Sequence, residues 1–186
     1  MPFPQIQGAG DLNVVAIGFE NAKSTITAVT DTAGNVYQLA APLTRGSGIS
    51  QAIYYSKNIS AAIPGGNVVT VRFSNTVPYP DVRVAEYSAL DTVNPLDTSA
   101  SAAGTTVTAS SGTITTSTPN ELIFGAGYTS GVFVAGTNGF VSRIITPLDE
   151  DIAGDEIAPT PGAYLAAASQ TTSARWVMQA VAFHIP

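Results

Sequence analysis

Cysteine is missing from all 186 residues, which excludes disulfides, thiolate metal sites and a cysteine nucleophile together. The absence does not decide a compartment, because a Cys-free chain suits the cytoplasm and equally a bacterial surface protein whose sheets hold without bridges. Histidine is almost as scarce. A Ser-His-Asp triad would have to use His184, the one histidine, near the end of the chain, and no Gly-x-Ser-x-Gly elbow accompanies it. One imidazole also falls short of the two or three that catalytic metal sites normally use. Charged residues make up only 11%, with 7 basic against 13 acidic and a net charge of −6, so a phosphate backbone or an anionic membrane surface is repelled. No Gly-x-x-x-x-Gly-Lys phosphate cradle occurs. No apolar run reaches the ~18 residues of a membrane span, and Met1-Pro2-Phe3-Pro4-Gln5 has neither the basic nor the apolar region of a secretory signal.

What fills the chain instead is Thr, Ser, Ala, Gly and Val, with 45% hydrophobic residues, the usage of an all-β protein. Its length fits one domain, 1–186, able to bury roughly 70% of the surface of the unfolded chain. Asp11 to Phe19, led in by Gly8-Ala9-Gly10, is apolar on both alternations except at Asn13, the mark of a strand covered on both faces. Thr25 to Thr30 and Val36 to Ala40 flank Asp31-Thr32-Ala33-Gly34-Asn35 and read as a β-hairpin. Ser50 to Lys57 and Val68 to Phe73, joined through Pro64-Gly65-Gly66-Asn67, read as a second pair, and Thr105 to Ala109 against Thr113 to Ser117 as an exposed edge hairpin. Glu121 to Tyr128 is a core strand whose two glycines admit a bulky neighbour. Phe140 to Thr146, Ala163 to Ser169 and Arg175 to Ile185 complete the set, with no helix. About twelve short strands at roughly 8–12-residue spacing predict a single antiparallel β-sandwich of jelly-roll type.

The stretch from Asp81 to Ala89 anchors this reading as a central strand with Val82, Val84 and Glu86 facing inward. Glu86 is then a buried structural carboxylate, paired with an arginine or with several backbone or hydroxyl donors. Glu86 with Glu121 is the one pair that could serve a glycoside hydrolase, which needs two carboxylates about 5–9.5 Å apart. Asp149, Asp151 and Asp155 lie in the densest acidic stretch, a possible calcium site, although Ala153 and Thr160 break the EF-hand spacing. Among the aromatic residues, Tyr79, Tyr128, Phe133 and Trp176 are the glycan-binding candidates. Tyr79, between two prolines, and Phe133, beyond Thr129-Ser130-Gly131, are expected in exposed loops, while Trp176 also suits the core.

The succession Gly10-Asp11-Leu12-Asn13-Val14-Val15, Asp31-Thr32-Ala33-Gly34-Asn35-Val36-Tyr37, Glu86-Tyr87-Ser88-Ala89-Leu90-Asp91 with Asn94-Pro95-Leu96-Asp97, and Asn120-Glu121-Leu122-Ile123-Phe124-Gly125 resembles a β-sandwich module. That module recurs in large secreted proteins of environmental bacteria. The resemblance spans nearly the whole chain and implies an extracellular or cell-surface, non-catalytic role, with no catalytic residues to carry over. It also implies one more strand before Gly8. The expected partner is a glycan or a surface protein, without nucleic acid or membrane insertion. An alternative is a self-assembling structural subunit, a homo-oligomer built by strand addition at an open sheet edge.

Overall fold

A computed structural model describes residues 1–186 and shows sixteen strands and no helix. The first half forms β1 (Leu12–Phe19), β2 (Ile26–Asp31), β3 (Gln38–Arg45), β4 (Ser50–Ser56), β5 (Val69–Phe73) and β6 (Asp81–Tyr87). The second half forms β7 (Leu96–Gly104), β8 (Thr108–Ser110), β9 (Ile114–Thr115), β10 (Glu121–Thr129) and β11 (Phe133–Thr137). It continues with β12 (Val141–Ile145), β13 (Ile152–Ala158), β14 (Ala163–Tyr164), β15 (Ala167–Gln170) and β16 (Trp176–Phe183). A four-stranded sheet has the order β3-β4-β1-β6 and a five-stranded sheet β12-β13-β10-β16-β7, and neither closes into a barrel. All pairings are antiparallel.

The period-2 alternation explains how the two large sheets stack. Leu12, Val14 and Ala16 of β1 meet Leu122, Phe124 and Ala126 of β10 and Val181 and Phe183 of β16 in one apolar cluster. The opposite face of β1, Val15, Ile17 and Phe19, packs with Phe3, Val69 and the β2–β5 ribbon. On the far side of the second sheet, Ile123, Met178 and Ala180 meet Phe133, Phe140 and Ala168 from the small sheet β11-β15-β8 and its flank. Strands β1, β10 and β16 are thus buried along their whole length, as residues that are apolar on both alternations require. Gly127 shows why β10 carries glycines: a Cβ there would stand 2.9 Å from the Phe133 ring and 2.8 Å from Met178 Sδ.

The three expected hairpins are corrected. β2 pairs with β5 and β3 with β4; β4 pairs with β1 and β3; β8 pairs with β15 and β9 with β14. At the first of these corners the Asp31 carboxylate accepts bonds from Asn35 N and Nδ2, Tyr37 Oη and Asn67 Nδ2, so a side-chain knot turns the chain from one sheet into the next. The second correction concerns β6, which is an edge strand and not a central one. Its alternation is also the reverse of that expected, for Asp81 and Arg83 are buried between the sheets, whereas Val82, Val84 and Glu86 are half-buried on the outer face. The inward cation is tolerated because Arg83 donates to Gly127 O at 2.7 Å, Ile152 O at 2.5 Å and Gln51 Oε1 at 2.8 Å, and its Nε lies 3.2 Å from Asp81. Phe140 to Thr146 likewise yields not a core strand but the half-exposed edge strand β12.

Candidate functional site

The end of the sheets at Thr129 carries a cleft of about 340 Å³ lined by Glu20, Tyr79, Tyr128, Gly131, Leu148, Asp149 and Glu150, among others. Its volume lies at the lower end of the range of small-ligand sites. Four chain segments meet here: the end of β1, the turn before β6, the β10–β11 connection and the β12–β13 connection. Tyr79 stands between Pro78 and Pro80 with φ of 46° and leaves 67% of its surface exposed. Its carbonyl accepts a hydrogen bond from Tyr128 Oη at 2.7 Å. Tyr128 itself is buried, and Gly18 makes the room: a Cβ at that position would come within 2.0 Å of the Tyr128 ring.

Left-handed backbone recurs around the rim, at Tyr79, at Leu148 (φ 79°) and at Glu150 (φ 49°). Such conformations in bulky residues are held only where the surroundings over-determine them, and they concentrate at ligand clamps. Glu150 N bonds Thr146 O at 2.9 Å and Glu150 O receives Phe133 N at 3.2 Å. Arg175 braces the other wall: its guanidinium pairs with Glu20 at 3.0 Å and donates to Ser47 O at 3.0 Å and Ser130 Oγ at 3.2 Å.

The electrostatics are one-sided. Glu20, Asp149 and Glu150 line the cleft, and behind it Asp151 is fully buried, one oxygen accepting Thr129 N at 2.7 Å and the other without a partner. Burial holds the Asp151 carboxyl well above the ordinary carboxylate range; Arg83 pulls it down and Asp81 adds to the rise. Burial likewise raises the Tyr128 phenol, with further push from Asp151, Glu20, Asp149 and Asp81. The Tyr128 hydroxyl, donating to the Tyr79 carbonyl, fixes that turn. The cleft offers one aromatic face and several carboxylate acceptors, a set that rejects anions and accepts hydroxyl groups.

Of the four expected glycan residues, Tyr79 and Tyr128 come together here, but only Tyr79 presents its ring to solvent. Phe133 is corrected from a loop to a core residue, and Trp176 takes the core place it was also expected to suit: both pack in the cluster beneath the outer small sheets, and Trp176 Nε1 bonds Thr106 Oγ1 at 3.2 Å. Of the four candidate rings, one is thus left open to a ligand. The three aspartates expected to hold calcium are dispersed. Asp149 lines the cleft, Asp151 is buried beside Thr129, and Asp155 is clamped by Arg143 (2.7 to 3.0 Å) and by Tyr87 Oη at 2.8 Å.

Glu86 is half-buried and accepts Gly8 N at 2.8 Å, with no arginine in contact. Burial raises its pKa, the Gly8 bond opposes this, and Asp11 reinforces it. The expected buried Glu86, paired with an arginine or with several backbone or hydroxyl donors, is therefore corrected to a half-buried carboxylate with one backbone donor, since its strand turns that face outward. Glu121 is fully buried on the other sheet, held by Ser117 N, Thr118 N and Thr118 Oγ1, so the two carboxylates have separate surroundings. Glu20 escaped sequence reading because nothing in its neighbourhood marks it, whereas the prolines around Tyr79 and the acidic run at Asp149 did signal their part of the rim. Comparison with protein-family models, with curated proteins and with solved structures finds no match for this chain.

Proposed function

We propose that the chain is a non-catalytic β-sandwich module of an extracellular or cell-surface protein, and that it binds a neutral glycan in the cleft beneath Tyr79. The sandwich part is supported by the apolar cluster shared between the two large sheets. The jelly-roll part draws no support from strand order: the first large sheet takes its strands from residues 12–87 and the second from residues 96–183, so the chain passes between them once. The non-catalytic part rests on the separate surroundings of Glu86 and Glu121.

The observation that carries the glycan reading is the Tyr79 ring, exposed, fixed by two prolines and the Tyr128 bond, and set beside carboxylates that can accept sugar hydroxyls. Aromatic faces stack on the C–H faces of pyranoses, and a rigid ring loses little conformational freedom on contact. Calorimetry with neutral β-glucan, xylan and chitin oligomers, and with uronic-acid oligomers as anionic controls, tests this. Binding of a neutral oligomer, weakened about fivefold by Tyr79→Ala, is the expected result, since one aromatic contact contributes on the order of 1 kcal/mol. Absence of binding across the panel, or affinity unchanged by Tyr79→Ala, rejects it.

A second reading, self-assembly by strand addition, is favoured by one observation. β12 pairs on one side only, and its Val141 and Ile144 are exposed.

A further inference from the structure

Asp97, Glu121 and His184 stand far apart in sequence, yet their ligand-capable atoms all lie within 4.8 Å of one another. The cause is topological. β10, β16 and β7 are adjacent strands, and Leu122 faces Phe183, which in turn faces Leu96. Glu121 opens β10, His184 follows β16, and Asp97 lies near the start of β7, so all three fall at one end of the sheet. Between Ala182↔Thr98 and Phe183↔Leu96 the register slips, leaving Asp97 as the extra residue of a β-bulge. Bulges re-aim a side chain, and they recur beside functional sites.

The group is also held in place. His184 N donates to Pro95 O at 2.7 Å and His184 O accepts Asp91 N at 3.0 Å. The turn before β10 orients both acids: Ser117 N reaches Asp97 Oδ2 at 2.9 Å and Glu121 Oε1 at 3.0 Å, while Thr118 N and Oγ1 reach Glu121 Oε1 at 2.7 and 3.0 Å. His184 Nδ1 lies 3.6 Å from Glu121 Oε1 and 3.1 Å from Thr118 Oγ1, and its Nε2 lies 3.9 Å from Asp97 Oδ1.

Charge and hydrogen bonding here do not balance within the protein. Glu121 is fully buried, three donors crowd onto Oε1, and Oε2 has no partner. No lysine or arginine pairs with Glu121 or Asp97. A buried carboxylate oxygen with neither donor nor cation is a costly arrangement, and a metal ion is one agent that relieves it. We propose that Asp97, Glu121 and His184 form a binding site for a first-row divalent cation, with zinc the best match. Two ligand atoms each about 2.1 Å from a tetrahedral ion stand about 3.4 Å apart, whereas the three ligand atoms here lie within 4.8 Å of one another and the ring turns Nδ1 to Glu121 and Nε2 to Asp97, so one ion is held only after the imidazole turns a single nitrogen toward both carboxylates. An imidazole nitrogen with two carboxylate oxygens suits zinc or its neighbours, whereas calcium and magnesium prefer oxygen alone. The His184 side opens on a cleft of about 510 Å³ that also borders Asp91, Thr118 and Asn120, which leaves room for water as a fourth ligand. Thr118 and Ser117, bonded to the ligands, are the outer groups that such sites use to fix orientation.

The test is calorimetric titration of the chelator-stripped full chain with zinc, with magnesium and calcium as comparisons, alongside anomalous scattering from zinc-soaked crystals. The expected results are one zinc per chain, magnesium and calcium binding weaker by at least about 100-fold, and an anomalous peak among the three side chains. His184→Ala, at a half-exposed position, and Asp97→Asn are each expected to lower zinc affinity at least about 100-fold, since even outer-shell changes cost 10–100-fold, while thermal melts verify that both fold. Absence of zinc binding, a peak elsewhere such as among Glu20, Asp149 and Glu150, or affinity unchanged in His184→Ala overturns the proposal. Should both variants fail to fold, the anomalous position in the parent chain decides. Tyr79 belongs to the opposite end, so Tyr79→Ala leaves zinc binding unchanged and separates this site from the glycan cleft.

Discussion

Asp151 has no exposed surface, accepts one backbone hydrogen bond from Thr129, and leaves its second oxygen unpaired. Because burial outweighs the pull of Arg83, the folded state holds the proton more tightly than the unfolded chain does, where the group titrates near 3.8. A carboxyl shifted upward stabilises the fold fully below the unfolded value, and that contribution is lost as pH rises through the folded value. Asparagine mimics the protonated form and keeps the acceptor for Thr129 N. Asp151→Asn is therefore expected to be more stable than the parent at pH 8, with the difference shrinking steadily toward pH 4. Urea midpoints at pH 4, 6 and 8 measure it, and a variant less stable than the parent at pH 8 refutes the assignment. Asp31 behaves in the opposite way: although burial raises its pKa, its bonds to Asn67, Asn35 and Tyr37 together lower it, so its contribution fades as pH falls. The sequence marked Asp151 only as one of three possible calcium ligands and Asp31 only as a turn residue, because a carboxylate's environment is set by whatever the fold packs around it.

Strand β10 shows how packing constrains an element that its sequence already suggests. Gly127 lies under the Phe133 ring and beside Met178, so Gly127→Ala pushes a methyl group into occupied space. Overpacking of this kind costs about 1–3 kcal/mol, to be read as a lowered urea midpoint with an unchanged m-value; a shift below about 0.5 kcal/mol would falsify the close packing of that ring. The glycines of β10 and the doubly apolar β1 were legible because burial on both faces leaves a distinct pattern, whereas β16 was legible only as a closing strand. Hairpin partners were not legible. Turn residues such as Gly34, at φ 77°, show that the chain reverses, not that its flanks pair, and here the strands diverge into different sheets. The direction of β6 was misread for a related reason: Val82 and Val84 looked like core, yet Arg83 occupies the interior through bonds to distant carbonyls that no local pattern encodes. Phe133 was taken for a loop residue because glycine and serine precede it, although Gly127 across the layer is the hollow that receives it.

At the scale of the whole molecule, β10 runs from the buried Glu121 beside His184 to Thr129 at the Tyr79 cleft, a span of roughly 26 Å at the usual strand rise. The two proposed sites therefore occupy opposite ends of a rigid sheet and are expected to bind independently. The lateral surfaces bear on assembly. The open edge expected for strand addition does not lie beside β1, which has β4 on one side and β6 on the other. Among the terminal strands of the two large sheets, β12 is unpaired on its outer side and exposes Val141 and Ile144. Two features blunt it: a register shift between Ser142 and Ile144, and the charged Arg143 between them, which reaches back to Asp155. Bulges and edge charges are devices that weaken edge-to-edge pairing, so association through β12 is expected to be weak and visible only as concentration rises. Light scattering over a wide concentration range should show mass climbing above the monomer, and Ile144→Lys, which adds a second edge cation without touching the core, should hold the chain monomeric. Mass that stays monomeric throughout, or association undiminished in Ile144→Lys, removes strand addition at β12.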